Sequence, residues 1–124
     1  MPGTNPLNFV RSVPRNGATG VSRNPRIQLV FTLNVVDGSV WTNNRNQIRL
    51  FRGSVRVPIN VIRSSSRALR RNIFVSPTST LRPLTSYRLV ILPGLTGRNG
   101  MRLGETVTIR FRTTSNGNGI IPEE

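Results

Sequence analysis

Arg26-Ile27-Gln28-Leu29-Val30-Phe31-Thr32-Leu33 carries an aliphatic or aromatic side chain at every second position. Ile27, Leu29, Phe31 and Leu33 alternate with Arg26, Gln28, Val30 and Thr32. Successive side chains of a β-strand point to opposite faces, so the run predicts a strand with one buried side. The same period-two pattern returns in Ile48-Arg49-Leu50, in Val55 to Val61, in Tyr87-Arg88-Leu89-Val90-Ile91 and in Val107 to Arg112. Two shorter runs, Phe9 to Val13 and Asn72 to Ser76, bring the expectation to about seven strands. Between them lie turn-forming clusters: Pro14-Arg15-Asn16-Gly17, Asp37-Gly38, Asn43-Asn44, Arg52-Gly53-Ser54, Pro93-Gly94 and Arg98-Asn99-Gly100. Short strands at this spacing predict an all-β sandwich. The one helix candidate, Ser64 to Arg71, is short and arginine-rich, and is expected to be a loop leading into a strand.

The 124 residues suffice for one domain. The sandwich is expected over residues 9–114, with tails of linker composition at 1–8 and 115–124. Residues 1–20 lack the apolar run of a secretory signal, and no stretch approaches the length of a membrane-spanning helix.

All eighteen basic side chains are arginine, opposed only by Asp37, Glu105, Glu123 and Glu124, for a net charge of +14. Adenine-poor coding does not explain the missing lysine, because the chain holds 13 asparagines, whose codons are equally adenine-rich. Arginine presents a planar fork that grips carboxylate or phosphate with two parallel hydrogen bonds, which a lysine ammonium cannot do. The composition therefore points to an anionic partner or a charge-patterned assembly. Cysteine and histidine are absent, so disulfides and thiol chemistry are excluded and the usual general bases are missing. Asp37 and Glu105 stand alone in separate loops, and Ser64-Ser65-Ser66 has no base beside it in sequence. No catalytic residue, metal site or cofactor is expected.

Four motifs, in order, carry a family resemblance. Val13-Pro14-Arg15-Asn16-Gly17-Ala18 leads through Val21-Ser22 to the strand ending in Phe31. Ile73-Phe74-Val75-Ser76-Pro77 is followed by Leu81-Arg82-Pro83-Leu84-Thr85-Ser86-Tyr87. Leu95-Thr96-Gly97-Arg98-Asn99-Gly100-Met101 and Ile109-Arg110-Phe111-Arg112-Thr113 close the series. From Val10 to Thr114 the chain resembles a bacterial immunoglobulin-like domain of the S-layer and cell-surface type. The resemblance implies a cell-surface or extracellular location and a spacer, adhesive or assembly role, but no single function. Pro83 to Tyr87 also suits a tyrosine corner, in which the phenol bonds back to backbone a few residues upstream. Tyr87, Pro83, Phe31 and Phe111 are thus expected to be structural, and Trp41 is expected to pack at the rim.

If Ile48, Leu50, Tyr87, Leu89, Ile109 and Phe111 face inward, then Arg49, Arg88, Arg110 and Arg112 face outward. In an immunoglobulin-like topology their strands share a sheet, so they should form a band on its solvent face, extended by Arg56. Arg63, Arg67, Arg70 and Arg71 form a second cluster near one connection. The expected partner is an acidic surface polymer or a neighbouring subunit, in a homo-oligomer or filament to which Glu123 and Glu124 contribute. Sequence-independent binding of nucleic acid, or association with a virion, is the second expectation: the pI is near 12, but no base-stacking motif accompanies the arginines. Pro58 and the alternating arginines either protect an edge strand or mark where a neighbouring chain adds one.

Overall fold

The alternating runs form strands whose apolar phases face one another. The computed structural model describes residues 5–115; the expectations for residues 1–4 and 116–124, including Glu123 and Glu124, lie outside the described residues. Among the described residues nine strands form: β1 (Phe9–Val13), β2 (Ala18–Val21), β3 (Ile27–Phe31), β4 (Ile48–Arg52), β5 (Val55–Val57), β6 (Ile59–Ile62), β7 (Asn72–Pro77), β8 (Ser86–Ile91) and β9 (Val107–Thr113). They make a four-stranded sheet, β1-β3-β7-β6, packed on a five-stranded sheet, β2-β9-β8-β4-β5. Every pairing is antiparallel except β2 with β9.

Two differences raise the count from seven to nine. The run from Val55 to Val61 breaks at Pro58, with β5 in one sheet and β6 in the other. Proline has no N–H to donate to a ladder, so it suits the point where the chain leaves one sheet for the next. Ala18–Val21, not read as a strand, pairs with β9. Gly17, just before it, sits at φ +88°, a region that glycine enters without strain. Its N–H donates to Arg110 O at 2.7 Å, and Asn16 Oδ1 accepts from Arg110 N–H at 2.8 Å.

The core lies between the sheets. Ile27, Leu29 and Phe31 of β3 and Ile73 and Val75 of β7 meet Ile48 and Leu50 of β4, Tyr87, Leu89 and Ile91 of β8, and Ile109 and Phe111 of β9. Packing begins ahead of β1. Leu7 is buried, and Asn8 O accepts from Thr32 N–H.

The turn clusters at Asp37-Gly38 and Asn43-Asn44 are instead the two ends of a short helix, α1 (Gly38–Asn44). Asp37 caps it, its carboxylate accepting from Ser39 N–H at 3.0 Å and from Ser39 Oγ at 2.5 Å. Those bonds hold the Asp37 carboxyl below the ordinary aspartate value, with smaller contributions from the Arg98 and Arg63 guanidinium groups. Within Ser64 to Arg71 the chain makes one 3₁₀ turn, Arg67–Leu69, before entering β7.

Candidate functional site

β9, β8 and β4 lie side by side, so their outward positions align across the five-stranded sheet. Leu89 pairs with Ile109 and with Leu50, all buried. One step along, Arg110 pairs with Arg88, Arg88 with Phe51, and Phe51 with Arg56. A row Arg110–Arg88–Phe51–Arg56 therefore crosses four strands on the outer face. Arg112 stands opposite Ser86 on the next outward row of β9 and β8.

This face is concave. A trough of about 400 Å³ is lined by Gly17, Ala18 and Thr19 on one side and by Phe51 and Gly53 on the other. Ser86, Arg88, Arg110 and Arg112 rise from its floor. From β2 to β4 is three strand intervals, so the trough is roughly 14 Å across at about 4.8 Å per interval. Its lining includes no acidic residue. Arg88 is held in place: its Nη1 donates to Gly53 O at 3.1 Å, and its guanidinium lies 4.7 Å from the Phe51 ring centroid. Arg110 and Arg112 are exposed, and among the described residues their side chains have no hydrogen-bond or ionic partner.

The other arginines of the expected band flank the trough. Arg56, on β5, lines a separate recess with Arg45, Asn46 and Asn60. Arg49 is half-buried two residues before Phe51, and its Nε is the one buried side-chain polar atom among the described residues without a hydrogen-bond partner. The second cluster is not brought to this face. Arg63 donates from Nη1 to Val36 O at 2.7 Å and lies 5.3 Å from the Trp41 ring centroid. Trp41, on α1, is half-buried against the core. Arg70 Nη1 donates to Arg67 O, while the carbonyls of Arg70 and Arg71 accept from Val35 and Phe31 N–H.

Tyr87, Phe31 and Phe111 are buried in the core, and the Tyr87 and Phe111 rings stack with centroids 5.7 Å apart. The Tyr87 hydroxyl accepts from Arg82 N–H at 2.9 Å. Pro83 is exposed in the corner, its carbonyl accepting from Thr85 Oγ1 at 2.7 Å.

Phe51, Thr19 and Ser86 were not among the expected site residues. Phe51 was legible, since it continues the outward phase of Arg49 just beyond the Ile48-Arg49-Leu50 alternation. Thr19 was not, because the parallel β2–β9 pairing that brings it to the wall joins segments about ninety residues apart in the chain.

Among the described residues the one ion pair joins Arg98 to Asp37 at 3.6 Å, and no cluster of three or more histidine, cysteine or acidic side chains is placed to hold a metal. No helix among the described residues is long and apolar enough to cross a membrane.

A family model described as a bacterial Ig-like domain matches residues 3–113. No curated protein matches the chain. Among solved structures, the N-terminal part of the bacterial S-layer protein SbsC is similar, with 18% identity and a TM-score of 0.61, over 89% of this chain and 24% of that one. The Escherichia coli copper resistance protein PcoC is similar at 18% identity and a TM-score of 0.60, over 86% of this chain and 98% of that one. An L,D-transpeptidase from Mycobacterium smegmatis is similar at 15% identity and a TM-score of 0.58, over 89% and 41%. The chain spans less than a quarter of the SbsC structures it resembles. At these identities the likeness is one of fold. Together with the two-sheet topology and the family match across nearly the whole chain, it leads to one assignment: this chain belongs to the family of bacterial immunoglobulin-like domains.

Proposed function

We propose that the domain is a non-catalytic structural or adhesive module, or an assembly subunit, of a bacterial surface or extracellular structure. Its arginine-rich sheet face contacts an acidic polymer or an acidic patch on a neighbouring subunit. The observation that carries this reading is the outer face of the five-stranded sheet, where Arg88, Arg110 and Arg112 line one acid-free trough. A soluble sandwich gains nothing from facing like charges directly across two strands. An anion on that face turns the repulsion into attraction. S-layer proteins are among the structures that share this fold, which is consistent with such a role.

Contacts of this kind weaken with salt, because exposed charges are screened over about 10 Å at 0.1 M ionic strength. Binding to an acidic polymer, or self-association followed by light scattering, is expected to fall steeply between low and high ionic strength. Salt-independent association would overturn the electrostatic reading.

Nucleic-acid binding is the second reading, favoured by the pI near 12 and by an aromatic ring within the arginine row. It would be blind to sequence. A shift of random duplex or single-stranded DNA at low salt would support it, and no shift there would retire it.

A further inference from the structure

The trough is more selective than a charged surface needs to be. Arg110 and Arg88 face each other across an antiparallel pair, where Cβ atoms lie about 4.5–5.5 Å apart and like charges destabilise the sheet. Arg88 is pinned by Gly53 O and by the Phe51 ring, which leaves it pre-organised with donors to spare. The side chains of Arg110 and Arg112 have no partner among the described residues. Beside the three guanidinium groups stand an aromatic ring and two exposed hydroxyl residues, Ser86 and Thr19. The volume falls near the lower end of small-molecule sites, on the scale of one or two sugar rings.

We propose that the trough binds a linear acidic polysaccharide through the carboxylate of a uronic-acid unit. This rests on the anionic-partner reading above and narrows it. The carboxylate lies between Arg110 and Arg88, taking a two-bond fork from the unpartnered Arg110 side chain and a single bond from a remaining Arg88 donor. The sugar's C–H surface lies toward Phe51, and its hydroxyls meet Ser86, Thr19 and the remaining donors of Arg112. A phosphodiester chain would use the charges but has no need of the ring and hydroxyl walls. An acidic protein patch would likewise use the charges without needing the ring and hydroxyl walls.

The test is calorimetric titration of the chain with polygalacturonate and with a short galacturonate oligomer. Polyphosphate, polyglutamate and neutral dextran are run alongside at equal ionic strength. Arg110→Gln and Arg88→Gln are each expected to weaken galacturonate binding about ten- to a hundredfold, the cost of losing a hydrogen bond to a charged group. Arg110→Lys keeps the charge but not the fork and should fall between wild type and Arg110→Gln. Phe51→Leu should weaken galacturonate clearly more than polyphosphate, which loses only the ring's hold on Arg88. The double variant Arg67→Gln/Arg70→Gln, away from the trough, should match wild type. Circular dichroism confirms that each variant folds, and the exposed Arg110 is the safest of them to change.

If polyphosphate or polyglutamate binds as tightly as galacturonate and Phe51→Leu is silent, the uronate assignment is wrong while the anionic face survives. If Arg67→Gln/Arg70→Gln weakens binding as much as the trough variants, the location is wrong. If no polyanion binds at low salt, the uronate assignment and the acidic-polymer reading both fail, and salt-independent or absent self-association would remove the neighbouring-subunit contact as well.

Discussion

Tyr87 does two jobs that one substitution separates. Its ring is buried and stacked on Phe111, and its hydroxyl accepts from the Arg82 N–H at 2.9 Å. Thr113 grips the same corner from β9, its Oγ1 donating to Arg82 O and accepting from Thr85 N–H at 3.0 Å. Tyr87→Phe keeps the stack and removes the hydroxyl, so it should cost about 1 kcal/mol, the usual net worth of one hydrogen bond. In a chain of this size that lowers the unfolding midpoint by roughly 2–6 °C. Urea unfolding gives the free-energy change directly; an unchanged midpoint would mean that water replaces the phenol without penalty. The spacing from Pro83 to Tyr87 made a corner legible in the sequence. The part played by Thr113 was not, because nothing local ties a threonine on β9 to a turn 28 residues earlier.

Helix α1 shows why some elements escape a reading by period. Glycine, serine, valine, tryptophan, threonine and asparagine are mediocre to poor helix formers, and seven residues are too few for a helix to stand alone. It is held at its ends instead. Asn34 Oδ1 accepts from Val36 and Asp37 N–H, and Asp37 accepts from Ser39. Asn44, fully buried, donates to Val35 O at 2.8 Å and to Thr96 O at 2.7 Å, and accepts from Thr96 N–H at 2.8 Å. Asn44→Ala strands the buried Val35 carbonyl and the part-buried Thr96 N–H and C=O, and is expected to cost about 2–4 kcal/mol. Its urea midpoint should fall well below that of Tyr87→Phe, while polyanion binding below the transition is unchanged, since α1 contributes nothing to the trough lining. The strands were legible because alternation is a local property that burial enforces at every position. The helix was not, because its stability comes from tertiary contacts that override weak propensity. The site falls between these cases. The outward phase of Arg49, Arg88, Arg110 and Arg112 followed from their buried neighbours. Which of them share a trough depended on strand register and on the parallel pairing of β2.

The charge of the whole chain sets its stability against its surface. At +14 the folded state concentrates repulsion that the unfolded chain spreads out, so screening should favour folding. The unfolding midpoint is expected to rise as sodium chloride goes from about 10 mM to about 300 mM, where the screening length falls from roughly 30 Å to well under 10 Å. The sharper form of this prediction concerns Arg110. Facing Arg88 with no acid in the trough lining, it belongs to a like-charge pair that costs a few tenths to about 1 kcal/mol. Arg110→Gln should therefore raise the low-salt midpoint and shrink the gain from added salt, while weakening the same protein's hold on galacturonate. A low-salt midpoint that falls instead would show that Arg110 supports the fold and is no cost to it. Stability gained and binding lost in one substitution is what a functional site predicts, because residues placed for a ligand are under no selection to suit the empty fold. A band of arginines kept only for solubility would show the gain without the loss.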